Sequence, residues 1–425
     1  MFPQGRLLAW GLFALVLAAA PLVFRSSLAL TMLSQMGYLI IICLSYNILL
    51  GQGGMLSFGH AVYTGLGSFI AIHAMNLAGA GGPAVPLTLI PVVGGLAGLF
   101  FAALLGFVTT RKSGTTFAMI TLGIGELVAS MALMLPGFFG GEGGITTNRV
   151  YGQPLFGLDF GAQIQVYYLI AVYCLVCTAL MYAFTGTPLG RMLNAVRDNP
   201  ERVEFIGYNP QRVRYLAFIV AGFFAGVGGG LAAINFEIVT AADSVSSARS
   251  GGYLLFTFLG GAGFFFGPII GAVLLVLASV LLSELTKAWL LYLGLAFLGM
   301  VMFAPGGIAS LVMLNWRVAQ QGRLGRLLPG YLGLAATALL AALGAGAMIE
   351  MVYHLQLSAA LGPQMRFLGL GLDAQALESW LGAGLTLALG AGLFAWCRHR
   401  FARAWEQVQD EIEREAPAPA QGASA

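Results

Sequence analysis

The sequence has 425 residues, of which 59% are hydrophobic and only 9% are charged. Soluble domains carry about 25% charged residues, and a soluble core could not bury this much apolar surface. The composition therefore excludes a soluble globular protein and indicates an all-α polytopic membrane protein embedded in a lipid bilayer. The formal net charge of +3 says little about partners, and we expect no nucleic-acid partner.

Apolar runs along the chain predict about 10–12 membrane segments, because a helical span needs about 20 apolar residues. The predicted spans are 7–24, 28–50, 56–77, 86–108, 115–136, 165–184, 213–235, 288–304, 330–352 and 380–397, with a longer apolar stretch at 251–284. Sixty glycines indicate tightly packed or broken spans, because small residues let helices approach closely. Arg25, rather than a small-residue cleavage site, follows the first run, so we predict that this run is retained.

A glycine-rich interruption, NILLGQGGMLSFGH, separates the second and third predicted spans. It contains the polar residues Asn47, Gln52, Ser57 and His60. In lipid such groups need polar partners, so they face the protein interior or water. One interpretation is a half-helix end that lines the translocation pathway. The other is a tight cytoplasmic turn in which Ser57 caps the next helix and His60 lies at the membrane interface.

Glu126 is the one acid near the middle of a predicted span, 115–136. A charge at mid-membrane costs a few kcal/mol, so we expect this carboxyl to be paired, protonated or exposed to water. It either lines the substrate route or holds helices together, and we favour helix packing or pairing.

The longest polar interruption before the last quarter of the chain is 185–218. Its charged residues are Arg191, Arg197, Arg202, Arg212, Arg214, Asp198, Glu201 and Glu204. Thr187, Asn199 and Asn209 each precede a proline, which predicts three capped helix starts, and Gly207 suits the end of the middle helix. Short capped helices in a charged loop favour a surface for a soluble partner, although an ordinary solvated loop is the plain alternative.

Positive charges near span ends indicate which side of the membrane each loop faces. If the N-terminus is cytoplasmic and the spans alternate, most of these charges fall inside. The cytoplasmic positive residues are then Arg6, Arg111, Lys112, the five arginines of 185–218, and Arg398, Arg400 and Arg403. Single arginines fall outside, at Arg25, Arg149 and Arg366. Both termini are therefore predicted to be cytoplasmic.

A further group of arginines at 317–326 falls inside only if the stretch 251–284 begins and ends outside. Glycines and a Gly-Pro pair interrupt this stretch, so we predict a re-entrant or two-legged hairpin that turns near Gly263 to Pro268. Broken backbone at membrane depth is tolerated only where it lines a cavity or is buried in protein. We therefore assign Gly263 and Pro268 to the translocation core. The alternative is a single tilted helix with a Gly-Pro kink.

Several of these stretches resemble the permeases of branched-chain amino acid ABC transporters, of the LivM type. The run PLGRMLNAVRDNPERVEFIGYNPQRVRYLAFIVAGFFAGVGGGL is similar to the cytoplasmic coupling loop of that family and the helix after it. NILLGQGGMLSFGHAVYTGLGSF, GGAGFFFGPIIGA and FAPGGI also match, so the resemblance covers roughly 28–316.

The resemblance implies that the loop 187–210 docks onto an ATP-hydrolysing subunit. The coupling residues it implies are Gly190, Arg191, Arg197, Asp198, Asn199, Glu201 and Gly207. It also favours a place in the translocation pathway for the polar residues of the glycine-rich interruption. The implied partners are two ATP-binding subunits, a second related permease, and a periplasmic substrate-binding protein that lands on the outside loops 137–164 and 236–250. Plain solvated loops are the alternative there. The implied location is the bacterial inner membrane.

Motifs for other chemistry are missing from the sequence. It has no GxxxxGK[ST] phosphate loop, no HExxH and no GxSxG, so we expect no catalytic site and no cofactor, with ATP bound by partner subunits. Cys174 and Cys177 have CxxC spacing inside a predicted span without a second pair, so we expect buried thiols and no metal.

The predicted function is therefore an ATP-driven importer permease for branched-chain amino acids. Urea or short amides are alternative cargoes. A secondary transporter independent of ATPase subunits is an alternative mechanism, although few intramembrane carboxylates exist to relay protons. A non-transporting scaffold or enzyme is a third class, which the broken helices and the lack of a catalytic constellation disfavour.

Three regions are predicted. Residues 1–316 form the permease domain, 317–397 add two further spans, and 398–425 form a charged and disordered cytoplasmic tail. Within the tail, RHRFARAWEQVQDEIERE is predicted to form a short surface helix, and APAPAQGASA is disordered by composition.

Overall fold

The computed structural model describes residues 3–82, 85–151, 159–322, 324–357 and 362–415. The predicted disordered segment 416–425 and Arg323 lie outside these residues. Over the described ranges, nine helices are long and apolar enough to cross a membrane. They are Ser27–Gln52, His60–Gly79, Leu87–Thr109, Gly114–Met134, Gln163–Gly186, Pro210–Phe236, Gly267–Leu285, Gly325–Leu357 and Leu377–Val408. The prediction of an all-α polytopic membrane protein is confirmed.

The chain divides into two compact units. The first comprises Met1–Leu281 and Leu295–Ser310, and the second comprises Leu282–Gly294 and Leu311–Ala425. The predicted limits of a permease domain at 316 and of a tail at 398 remain predictions.

Within the described part of the chain, the first unit contains thirteen helices, α1 to α13. They are α1 (Pro3–Val23), α2 (Ser27–Asn47), α3 (His60–Gly79), α4 (Ile90–Thr109), α5 (Gly114–Met134), α6 (Pro136–Phe139), α7 (Gln163–Gly186), α8 (Pro188–Asp198), α9 (Pro200–Phe205), α10 (Pro210–Phe236), α11 (Ala241–Ser244), α12 (Ser247–Gly260) and α13 (Gly267–Leu277). Strands β1 (Ile145–Thr146) and β2 (Ile238–Val239) pair antiparallel. The predicted outside loops 137–164 and 236–250 therefore contain a paired strand each and the short helices α6 and α11.

Helix α10 is the most deeply buried of the nine candidate spans, with 78% of its most apolar window buried. It packs against α4, α3 and α2. A Cβ added to Gly226 of α10 would lie 2.2 Å from the carbonyl oxygen of Gly94 on α4, and one added to Gly98 would lie 2.2 Å from that of Gly222. Because glycine lets backbones touch, these residues allow α4 and α10 to pack without an intervening side-chain layer.

The helix that begins with α2 is broken before α3. It continues from Ile48 to Gln52 as a π-helical turn, and residues 53–59 form no helix. Gly54 has a φ of +62°, which favours glycine and ends the helical path. Helix α3 starts only at His60 and has no side-chain N-cap, so the predicted start at 56 was too early and the interpretation of Ser57 as a cap is wrong.

Helices α12 and α13 form the predicted hairpin, with a break at 261–266. A Cβ added to Gly271 would lie 2.0 Å from the carbonyl oxygen of Phe256, and one added to Gly260 would lie 2.1 Å from that of Gly267. These contacts make the two legs antiparallel, so the alternative of a single kinked helix is wrong. At 1.5 Å per residue, the 14 residues of α12 reach about 21 Å, less than the roughly 30 Å hydrocarbon core. The first leg is therefore too short to cross a membrane alone.

The second unit contains the predicted C-terminal spans. Its elements include α14 (Ser283–Leu285), α17 (Leu324–Leu357), α18 (Leu377–Glu415) and the antiparallel strands β3 (Gln364–Phe367) and β4 (Leu370–Asp373). Helices α17 and α18 are antiparallel neighbours, with Gly344 against Ala383 and Gly390 against Ala341. The helix predicted for the charged segment after residue 397 is confirmed, but it is the unbroken continuation of α18, which runs to Glu415. No glycine or proline lies between 393 and 415 to end the helix.

Two further boundaries differ from the predictions. The first apolar run forms α1, but its apolar part, Leu7–Val23, is shorter than the nine helices counted above. Helix α15 (Trp289–Phe303) corresponds to the predicted span 288–304. It is followed, after a three-residue break at Ala304–Gly306, by α16 (Gly307–Gln320), which was not predicted. These two helices each contribute to both units.

Candidate functional site

The polar loop between α7 and α10 forms the capped helices that the sequence predicted. Thr187, Asn199 and Asn209 each accept a hydrogen bond from the backbone N–H three residues later, at 3.0–3.2 Å. Gly207 follows α9 with a φ of +89°, the left-handed conformation expected after a helix end. The caps and the glycine hold α8 and α9 as a compact pair next to α10.

One face of α8 turns back onto the broken span. Arg197 donates through Nη1 to the carbonyl oxygen of Gly51. Asn194 donates through Nδ2 to Oε1 of Gln52 at 2.8 Å. The Nε of Arg197 also pairs with Asp198 at 2.9 Å. Two side chains of the loop therefore bind two consecutive residues of the π-helical turn.

Four other residues predicted for this loop lie in different environments: one is packed against α7 and three are exposed. Gly190 packs against the carbonyl of Phe184, where an added Cβ would be 2.3 Å away, so the residue allows α8 to start close to α7. Arg191 and Glu201 are exposed, and the Asp198 side chain is 67% exposed. The structure thus distinguishes Arg197, which binds the broken span while 39% of its side chain stays exposed, from the other charges of the loop, a distinction that spacing in the sequence did not provide.

An exposed apolar group, missed by the sequence analysis, lies at the end of α9. Phe205 is 89% exposed, Ile206 63% and Tyr208 52%. The signal was present as FIGY within an otherwise charged loop. Large apolar side chains so exposed at a loop tip are typical of a protein-binding surface.

The break between α2 and α3 is buried and polar. Ser45 donates to the carbonyl oxygen of Ile42 at 2.7 Å, and its oxygen lies 2.8 Å from Nε2 of His60. Because the single serine proton is used toward Ile42, His60 is assigned as the donor through Nε2. Tyr46 donates to the carbonyl oxygen of Ser57 at 2.8 Å. His60 is therefore buried in the protein interior, and its predicted position at the membrane interface stays a prediction.

Four buried polar atoms around this break have no hydrogen-bond partner among the described residues. They are Oδ1 of Asn47, Oγ of Ser57, Nδ1 of His60 and Oγ1 of Thr64. Buried polar groups are nearly always paired, so unpaired ones mark places where water, substrate or motion is involved. Three of the four belong to residues predicted from the sequence.

The hairpin lies against the same break. Ser250 of α12 accepts a hydrogen bond from the Ala61 N–H at 3.0 Å, and Thr257 donates to the carbonyl of Cys43 at 3.4 Å. A Cβ added to Gly51 would lie 2.2 Å from the carbonyl oxygen of Ala262, which places the hairpin turn beside the π-helical turn. Neither Ser250 nor Thr257 was predicted, because their partners are about 190 and 214 positions away along the chain.

Of the two predicted hairpin residues, Gly263 lies in the turn and Pro268 lies in the second leg. A Cβ added to Gly263 would have nothing within 4 Å. Pro268 lies in the first turn of α13, where its missing N–H is not needed.

Glu126 is paired with the start of the hairpin. Ser247, the first residue of α12, donates its hydroxyl to Oε1 of Glu126. On the same helix as Glu126, Thr121 accepts a hydrogen bond from the N–H of Phe58 at 3.1 Å. Helix α5 therefore contacts both the hairpin and the break. Glu126 itself is exposed, and its assignment to helix pairing rather than to the substrate route stays a prediction.

At the other end of α10 the loop 141–151 is tied to the helices. The N–H of Arg149 donates to Oε1 of Glu237 at 2.8 Å, and its guanidinium donates to Gln163 at 3.2 Å. Tyr151 donates to the carbonyl of Val85, and burial raises the pKa of this tyrosine to about 12. Tyr151 therefore stays a neutral donor at physiological pH.

Comparisons with known proteins show the family to which the chain belongs. A family model described as the permease component of the branched-chain amino acid transport system matches residues 28–305. The high-affinity branched-chain amino acid transport system permease protein LivM of Escherichia coli is 28% identical over 295 residues, covering 63% of this chain and 67% of the relative. LivM of Salmonella typhimurium is 29% identical with the same coverage.

A more distant relative is the probable branched-chain amino acid transport permease protein LivH of Methanocaldococcus jannaschii. It is 25% identical over 266 residues, covering 61% of this chain and 78% of the relative. No solved structure gives a significant match. Because the family model covers well over half of the chain, the protein belongs to the branched-chain amino acid transport permease family.

Proposed function

We propose that this chain is the membrane-spanning permease subunit of an ATP-driven importer for branched-chain amino acids. Its family membership and the printed names of its relatives support the cargo. ATP is bound and hydrolysed by two partner subunits, so this chain needs no cofactor of its own. A second related permease completes the pathway in the bacterial inner membrane.

The observation that carries the proposal is the pair of contacts from α8 to the broken span. Arg197 binds the carbonyl of Gly51, and Asn194 binds the side chain of Gln52. A displacement of α8 therefore pulls on the π-helical turn directly. Helices transmit such displacements because packed elements move as rigid bodies between discrete arrangements.

The outward face of the same loop supplies a surface for the ATPase partner. Phe205, Ile206 and Tyr208 are exposed beside the outward charges Arg191, Asp198 and Glu201. Apolar anchors ringed by charge are the usual composition of a protein interface. In this proposal the loop 187–210 faces the cytoplasm, as do both termini.

Movement at the break opens the substrate route. Asn47, Ser57 and His60 carry buried polar atoms that find no partner within the described part of the chain, and the hairpin turn lies beside Gly51. Gly263 and Pro268 shape that turn, and Glu126 holds the start of the hairpin. Substrate arrives from a periplasmic binding protein that docks at the opposite end, on the loops around β1 and β2.

The test is uptake of labelled leucine by cells that lack this chain, with and without its return. Unlabelled valine, alanine and urea serve as competitors, and a parallel sample is depleted of ATP. The proposal predicts restored, ATP-dependent uptake that valine blocks. Restored uptake of urea without leucine would replace the cargo. Uptake that survives ATP depletion but is lost with the ion gradient would replace the mechanism by that of a secondary transporter.

A further inference from the structure

A cavity of about 250 Å³ lies at the end of α10 opposite the loop helices. Its walls come from α2, α3, the last turn of α10, β2, α11 and the start of α12. The residues that matter here are Leu39, Thr64, Phe236, Ile238, Asp243 and Arg249. Clefts that hold drug-sized molecules measure about 300–1,000 Å³. This cavity is smaller, so it fits a ligand the size of an amino acid.

The cavity contains one charge of each sign, and the two are only loosely engaged with each other. Nη2 of Arg249 lies 3.8 Å from Oδ1 of Asp243, beyond the roughly 2.7–3.2 Å of a normal hydrogen bond. The backbone carbonyl of Asp243 accepts from Nε of Arg249 at 2.8 Å, and Thr240 donates to Oδ2 of Asp243 at 2.9 Å. These bonds leave the outer guanidinium nitrogens and Oδ1 available, and the Arg249 and Asp243 side chains are 38% and 73% exposed, so a ligand can reach both charges.

A third polar group belongs to the cavity wall. Thr64 is only 4% exposed, lines the cavity, and its hydroxyl oxygen has no hydrogen-bond partner in the described part of the chain. A buried hydroxyl without a partner costs about 1–3 kcal/mol, so its retention points to a ligand that binds there. This observation is independent of the ion pair.

The rest of the wall is apolar. The side chains of Leu39, Ala233, Phe236, Ile238 and Val239 surround the polar groups. An apolar wall beside one cation and one anion complements a molecule that carries both charges on one carbon and a short hydrocarbon side chain. An uncharged polar molecule such as urea would offer neither a carboxylate to Arg249 nor an ammonium group to Asp243.

We propose that this cavity binds the substrate as a zwitterion, a small aliphatic α-amino acid, on its entry to the permease. The guanidinium of Arg249 binds the α-carboxylate, which suits its planar donors. The carboxylate of Asp243 binds the α-ammonium group, and the apolar wall receives the side chain. This inference rests on the proposed function and names the residues that receive its cargo.

The experiment measures binding of labelled leucine to the assembled transporter in lipid nanodiscs, without the binding protein. The variants are Arg249→Gln and Asp243→Asn, and Glu142→Gln is a matched control, since Glu142 is exposed on the loop 141–151 and does not line the cavity. We expect each cavity variant to weaken leucine binding at least tenfold and the control to bind as the unmodified chain does. Isopentylamine and 4-methylpentanoate, each lacking one of the two charges, should compete at least tenfold less well than leucine.

A variant in the apolar wall keeps the test decisive if the charge variants fail to assemble. Ile238 is 41% exposed, so Ile238→Trp should fold, and it should reduce binding of leucine more than binding of alanine. Leucine binding unchanged in Arg249→Gln and Asp243→Asn, or an unchanged ratio of leucine to alanine binding in Ile238→Trp, would overturn the inference. If the unmodified transporter nevertheless showed normal ATP-dependent leucine uptake, only the assignment of the cavity would fail and the proposed function would be kept. Absence of that uptake would refute the proposed function itself.

Discussion

Arg197 of α8 donates a hydrogen bond to the carbonyl oxygen of Gly51, inside the π-helical turn of a broken span. A loop arginine expected to face a soluble partner thus contacts the broken span of its own chain. The backbone is irregular at this point, and the Arg197 guanidinium supplies the hydrogen-bond partner that the Gly51 carbonyl would otherwise lack. The bond connects the proposed ATPase surface to the break.

Arg197→Gln should reduce ATP-dependent leucine uptake about fivefold or more, because a shorter neutral side chain cannot hold the Gly51 carbonyl. The ATPase subunit should still co-purify, since the exposed apolar residues Phe205, Ile206 and Tyr208 are unchanged. Arg202→Gln, an exposed arginine of α9, is the control and should retain uptake. Loss of co-purification in Arg197→Gln would instead assign this arginine to the docking surface.

The bond from Asn194 to Gln52 is measured by a double-mutant cycle on uptake. Asn194→Ala and Gln52→Ala should each lower uptake, and the double variant should be little worse than either single one. The coupling should be about 0.5–1.5 kcal/mol, the net value of one hydrogen bond. Fully additive losses would show that the two side chains act separately.

Phe205→Glu should weaken co-purification of the ATPase subunit at least tenfold, because it places a charge in an apolar anchor. The stability of the chain should change by no more than about 0.5 kcal/mol, since the side chain is 89% exposed. Phe205→Leu preserves an apolar side chain and serves as the control. Equal co-purification of both variants would exclude Phe205 from the interface.

Ser45→Ala should lower the midpoint of thermal unfolding by a few degrees, because the N–H of His60 would lose its buried partner at a cost of about 1–3 kcal/mol. The control is Thr31→Ala, which removes a hydroxyl bonded at an exposed position of the same helix. Thermal melts of both variants in detergent provide the comparison. Equal midpoints would mean that His60 finds another partner.

Gly226→Ala should destabilise the chain by about 1–3 kcal/mol, because the new methyl group would lie 2.2 Å from the carbonyl of Gly94 and must push α4 away. Gly123→Ala is the control, since nothing lies within 4 Å of its added Cβ. The measurement is the yield of monodisperse protein and its melting midpoint. If Gly226→Ala matched the control, α4 and α10 would not pack this closely.

The sequence by itself determined the fold class, the approximate spans and the capped helices of the polar loop. Hydropathy over about 20 residues is a local property, and so is an N-cap side chain followed by proline. The glycine breaks also indicated where the backbone departs from a simple span. The hairpin with its break at 261–266 was predictable from the glycines and the Gly-Pro pair together with the side of the membrane that the arginines at 317–326 require.

Only the tertiary structure decided which residues meet at the breaks. Arg197 faces Gly51 while Asp198 faces outward, and this follows from the direction in which α8 packs rather than from residue type. The bonds of Ser250 and Thr257 join segments far apart in the chain, and the cavity brings Asp243 and Arg249 together with Leu39 and Thr64. No local pattern encodes such contacts, because they depend on the packing of α2, α3, α10 and α12 together.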